Sequence, residues 1–173
     1  MMGGNPSNFE GLENPEAATV KGTSTRRGNM GKHYPMANSV PAHMNEERLN
    51  KSIRRENLTG LANNTKWNEF ITAMRDREDW LPSYRSKAVN GYISEWDVEW
   101  VYHLPFPFKL VKWFDIDCCQ TKEAGGVLLD DEKIDHSEEF VSLVEKIGFV
   151  YEKRGGILRI FGYGPKDYEA FGE

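Results

Sequence analysis

The stretch Y-I-S-E-W-D-V-E-W-V-Y-H-L-P-F-P-F-K-L-V-K-W-F-D-I, Tyr92 to Ile116, decides how this chain is read, because it holds three of the five tryptophans. In its first half Tyr92, Trp96, Val98, Trp100 and Tyr102 share one parity, interrupted only by Ser94. Ile93, Glu95, Asp97, Glu99, Val101 and His103 take the other. Side chains alternate across a strand, so this pattern predicts a half-buried antiparallel strand or hairpin, aromatic inside and acidic outside. Leu104-Pro105-Phe106-Pro107-Phe108 cannot continue as a central strand, since each proline removes a ladder donor. It predicts a wide connection with Phe106 or Phe108 exposed. Lys109 to Asp117 then resumes as a strand whose apolar residues on both faces place it centrally, under a helix.

Upstream, Tyr84 to Val89 reads as a strand with Arg85 and Lys87 on one face. Asn90-Gly91 predicts a type I′ turn into Tyr92. That hairpin would set Arg85 and Lys87 across from Glu95 or Asp97 in a ladder of ion pairs. Three helices are expected. The first starts near Asn45, carrying Leu49 and Ile53. The second runs to Arg75, capped by Asn64 or Thr65, with Trp67, Phe70, Ile71 and Met74 on one face. The third is capped by Ser137, buries Phe140, Leu143, Val144 and Ile147, and stops at Gly148.

Gln120 to Gly126 reads as a loop. A last hairpin joins Phe149–Glu152 to Ile157–Tyr163, with Leu158 and Ile160 inward and Arg159 and Phe161 toward solvent. After Gly164-Pro165 the polar tail is expected to fray. Residues 1–44 are rich in Gly, Asn, Pro, Ser and Thr and show no period. They are expected to be a disordered tail, or to precede a true start at one of the later methionines. Residues 45–173 then make one compact α+β domain, a mainly antiparallel sheet of about five or six strands packed against two or three helices.

The 173 residues carry 27 acidic against 22 basic side chains, a net charge of −5. That balance disfavours a nucleic-acid binder that works by neutralising phosphates and favours a basic protein partner. Cys118 and Cys119, the two cysteines, are adjacent. A vicinal disulfide is strained, and no histidine cluster joins them for zinc, so they are expected as free thiols of a cytoplasmic protein. No run approaches the roughly 18 apolar residues of a membrane span. No cofactor is called for: Gly125-Gly126 lacks the following Lys-Ser/Thr of a phosphate loop, and Gly155-Gly156 joins two strands.

The segments N-N-T-K-W (Asn63 to Trp67), G-Y-I-S-E-W-D-V-E-W-V-Y-H (Gly91 to His103) and I-L-R-I-F-G-Y (Ile157 to Tyr163) resemble a family of small bacterial proteins that share a domain of unknown function. The likeness extends over Asn45 to Tyr163 and brings no catalytic signature with it. Members of that family hold Asp-Gly where this chain has Asp97-Val98. This implies a turn there, with Tyr92–Trp96 paired to Trp100–Leu104. Valine suits the positive φ of such a turn poorly, so one strand and a hairpin both stay open. In size and style the chain is also similar to the immunity proteins of bacterial toxin systems.

These residues favour a non-enzymatic binding module. Glu95, Asp97 and Glu99 would face a basic partner, with Trp96, Trp100 or Phe106 as desolvated anchors and His103 beside them. A homodimer through this face is a further expectation. The alternative is a metal-assisted or acid–base hydrolase that uses His103 with Glu99, Asp115 or Asp117. It requires those groups to converge in one pocket. The carboxylates of the loop from Asp130 to Asp135 lack the spacing of a calcium-binding loop.

Overall fold

The computed structural model describes residues 33–123, 125 and 130–173. The unit His33–Glu173 contains α1 (Glu46–Arg55), β1 (Thr59–Gly60), α2 (Asn64–Arg75), β2 (Tyr84–Ala88), a 3₁₀ turn at Phe108–Leu110 and β3 (Val111–Asp117). It continues with β4 (Cys119–Lys122), β5 (Glu132–Asp135), α3 (Ser137–Ile147), β6 (Tyr151–Arg154), β7 (Ile157–Phe161) and β8 (Tyr163–Gly164). Every strand pair is antiparallel, and the fold is α+β as expected. The main sheet has four strands in the order β2-β3-β7-β6, beside two-stranded pairs β1-β8 and β4-β5. The disorder expected of residues 1–32 lies outside the described residues.

Helix α2 follows its sequence pattern closely. Its Trp67, Phe70, Ile71 and Met74 are all buried. The cap is Asn63, one or two residues earlier than expected, whose side chain accepts from the Lys66 N–H at 3.0 Å. Helix α3 buries Phe140 and Val144 and ends at Gly148. That glycine sits at φ 83°, a conformation that residues with a Cβ adopt at a cost. Ser137 does not cap through its side chain; Asp135 instead accepts from the Ser137 N–H at 2.8 Å. Both helices cover one face of the sheet, where Tyr84, Phe114, Ile116, Leu158 and Ile160 complete the core. Trp67 is its aromatic hub, 4.8 Å from the rings of both Phe108 and Phe149. Aromatic pairs at such distances add to what area burial alone contributes.

The opposite face differs from expectation. Arg85, Asp115, Arg159 and Glu152 stand opposite one another on β2, β3, β7 and β6, a row of alternating sign across the whole sheet. Arg159 was expected in solvent and is fully buried, as is Phe161. The reason is the C-terminal segment, expected to fray, which instead closes this face. Phe171 is 7% exposed and lies 4.5 Å from the Arg159 guanidinium, whose other neighbour is the Trp113 ring at 3.6 Å. Arg159 also donates to the carbonyls of Asp167 and Glu169, both at 2.9 Å. With those partners a buried guanidinium has no unmet hydrogen-bonding need on that side.

Two further corrections concern the sheet's periphery. Gln120–Lys122, expected as loop, belongs to β4 and pairs with β5, so Glu132 to Asp135 is strand as well. Residues 33–44, placed by sequence in the tail, run as coil against the domain. There Ala37 is fully buried, accepts from the Phe108 N–H and donates to the Asn68 side chain, each at 2.8 Å.

Candidate functional site

The segment from Tyr92 to His103 is neither a strand nor a hairpin. It touches β2 through isolated bridges, Tyr84 with Asp97 and Lys87 with Ile93, and otherwise runs as loop. Of the aromatic row only Trp100 is buried; Tyr92, Val98 and Tyr102 are each more than 60% exposed. The turn before it is not type I′, since only Gly91, and not Asn90, has positive φ. A bond from the Gly91 N–H to Ala88 closes it, as in a longer hairpin loop.

The acids explain why the alternating pattern did not become a ladder. Asp97 Oδ1 accepts from the N–H groups of Val98 at 2.7 Å and Glu99 at 2.9 Å. The Glu99 carboxylate accepts from the N–H groups of Val101 at 3.0 Å, Tyr102 at 2.6 Å and His103 at 2.8 Å. Backbone donors that a strand would have offered its neighbour are thus taken by local side chains. These bonds also set the acidities. The Glu99 N–H above all, with His103 and the Val98 N–H, holds Asp97 below the usual carboxylate range, against the opposing effect of desolvation. Desolvation is the largest influence on Glu99 and raises it, but the three N–H donors together outweigh it and leave the group lowered.

Trp100 anchors the loop. Its indole N–H donates to the Pro82 carbonyl at 2.9 Å, and its ring packs on Tyr84 at 4.7 Å and Phe70 at 5.8 Å. From the last turn of α2, Arg75 donates to the Trp100 carbonyl at 2.8 Å and the Val101 carbonyl at 2.9 Å. Tyr84 adds a bond from its hydroxyl to the Glu99 carbonyl at 2.7 Å. Trp100 and Glu99 therefore build the loop: the Trp100 ring is buried with its N–H used, and both carboxylate oxygens of Glu99 accept backbone N–H groups.

What the loop frames is a cleft of about 940 Å³, bounded on one side by α1 and on the other by residues 92–97. Glu95, Trp96, Asp97, His103 and Phe106 line it, five of the seven candidate residues. Leu49, Val89, Leu110 and Val111 supply apolar surface, and His43, Met44 and Arg48 form the helix side. His103 Nδ1 lies 2.9 Å from Asp97 Oδ2. Trp96 lies over the Arg85 guanidinium at 4.7 Å and is 37% exposed, so part of its ring remains available. Phe106 is half-buried against the core instead of exposed, and Phe108 is fully within it.

Among the described residues, the ion-pair ladder expected between β2 and the acidic loop does not form. Arg85 pairs with Asp115 at 3.3 Å, and Lys87 pairs with Asp167 at 2.7 Å and with Glu169. Asp115 is itself held by Arg159 through two bonds of 2.6 and 2.7 Å. The carboxylates proposed for a hydrolase are thus scattered. Asp115 is buried under two guanidinium groups, Asp117 accepts from the Cys119 N–H at 2.9 Å, and Glu99 serves the loop backbone. Among the described residues no three His, Cys, Asp or Glu side chains converge as metal ligands. Both cysteines are free, and burial pushes the Cys118 thiol up to about 12.

Sequence reasoning missed the α1 side of the cleft, because a charged surface helix gives no sign of what it faces. It also missed the backbone role of Glu99, although acids spaced two apart among aromatic residues are compatible with such local bonds.

Fold and cleft together define an α+β protein with an acidic, aromatic-lined recess at the edge of its main sheet. The chain belongs to a family of unknown function, DUF6678, whose profile matches residues 49–167. No curated protein and no solved structure matches it. No described helix is long and apolar enough to cross a membrane.

Proposed function

We propose that this protein is a non-enzymatic protein-binding module that receives a basic group of its partner in the cleft between α1 and the 92–106 loop. The observation that carries this is the state of Glu95. It is exposed, lines the cleft beside Trp96, and has no ion pair or hydrogen bond among the described residues. Every other acid of the loop is already engaged. A cationic side chain from a partner would meet an unpaired carboxylate and an aromatic ring at once, the combination that gives charge-steered association and a desolvated anchor. An immunity-type role, covering the basic active site of a nuclease toxin, is the form of this reading that the acidic wall supports best.

The test is capture on the immobilised full chain from a lysate of the source organism, eluted with rising salt and identified by mass spectrometry. The expected result is one basic protein, released by salt and lost with Trp96→Ala. Retention unaffected by salt or by that substitution would sink the proposal.

A hydrolase is the second reading, in a form that pairs His103 with Asp97, 2.9 Å away at the cleft, in place of the scattered Glu99, Asp115 and Asp117. It requires turnover of an ester or phosphoester panel that His103→Ala abolishes. Equal rates for both proteins would remove it.

A further inference from the structure

The helix side of the cleft carries a charge of the opposite sign, and it too is unused. Arg48 is exposed and lines the cleft, and its backbone N–H bonds to the Asn45 side chain at 3.0 Å. Its guanidinium has no partner among the described residues. Lys51, Ser52 and Arg55 follow it three, four and seven positions on, the spacing of one helix face. With Arg48 these residues line a second depression of about 270 Å³, so the positive strip continues outward from the cleft.

Glu95 and Arg48 line the same recess and do not pair with each other, which leaves both charges for a ligand. Leu49 and Phe106 add apolar side chains to the lining of the same recess. We infer that the cleft takes a mixed-charge segment of a partner protein, seating a cationic side chain against Glu95 and a carboxylate against Arg48. This rests on the binding role proposed above and narrows its partner. A purely basic ligand would satisfy Glu95 but meet like charge at Arg48, which selects against it. A phosphate backbone would meet the reverse mismatch at Glu95. An extended segment also fits the space better than a small molecule. The cleft of about 940 Å³ lies at the upper end of the roughly 300–1,000 Å³ typical of small-ligand pockets, and it shares Arg48 and Ser52 with the second depression.

Calorimetric titration of the full chain with three synthetic Gly/Ser peptides tests this, one bearing lysines, one glutamates and one both. The mixed peptide should bind tightest, by about tenfold or more over either other. Arg48→Gln should erase its advantage over the lysine peptide, and Glu95→Gln its advantage over the glutamate peptide. Both residues are exposed, and unchanged circular dichroism would show that the variants fold. The inference is overturned if the lysine peptide binds as tightly as the mixed one, or if Arg48→Gln leaves the mixed peptide's affinity unchanged. Binding of no peptide, with a basic partner still captured from lysate, overturns this inference and leaves the binding role standing. Absence of that partner as well removes both.

Discussion

Two groups of charges meet tryptophan in this protein, and they end in opposite states. On the covered face of the sheet, Asp115 lies fully buried between Arg159 and Arg85, with Trp113 against the guanidinium and the C-terminal segment closing over it. In the 92–103 loop, Asp97 and Glu99 hold the backbone while Glu95 stays exposed beside Trp96, with no ion pair or hydrogen bond among the described residues. The first group has given up solvent and has partners for its charges. The second keeps solvent and, at Glu95, keeps a charge in reserve. Residue type does not separate the two states of charge here; the number of partners already made does.

The contrast can be broken most severely at Asp115. Asp115→Ala leaves two buried guanidinium groups without their counter-ion, and removing one member of such a group costs about 3–5 kcal/mol. Urea unfolding of the variant should show that loss; a change below about 1 kcal/mol would mean that the row is not a buried ion cluster. Phe171→Ala comes next. It removes the ring that packs against Arg159 and Arg154, 4.5 and 4.6 Å from their guanidinium carbons. A loss of about 3 kcal/mol is expected in the same assay, since the site cannot refill easily. An unaffected midpoint would show that the terminal segment does not hold the sheet face.

Glu99→Gln should cost less, about 1–2 kcal/mol, because water can reach part of the backbone it releases. Asp97 and Glu99 are both lowered in the folded protein, so their stabilisation is full above the ordinary carboxylate range near pKa 4 and fades as pH falls through the lowered values. Acid titration followed by tryptophan fluorescence should show the loop loosening in that range. Glu99→Gln should flatten the change, and an identical titration would contradict the assignment. Glu95→Gln has the smallest expected effect on folding, within about 0.5 kcal/mol by urea, since its carboxylate is exposed and has no ion pair or hydrogen bond among the described residues.

The same distinction explains what could be read from sequence. The buried faces of α2 and α3, the central place of β3 and the α+β class follow from periodicity, because apolar side chains at helical or strand spacing have one energetic option. Alternation misled at Tyr92–Tyr102. Asp97 and Glu99 can satisfy their neighbours' N–H groups locally, and nothing in a pattern of polarity records that choice. Arg159 and Phe161 were misplaced for a different reason. Their burial depends on Asp167, Glu169 and Phe171 returning from the end of the chain, a long-range contact with no local signal. The acidic side of the cleft was legible as exposed charge among aromatic residues, whereas its Arg48 side required the fold.

The most direct test of the account is capture of the basic partner by full-length Glu95→Lys beside the wild type, with both shown equally stable by urea. The reversed charge, placed next to Trp96, is expected to lower capture by about tenfold or more while folding is unchanged. Equal capture by both proteins, with the same dependence on salt, would contradict it and assign the interaction to another surface.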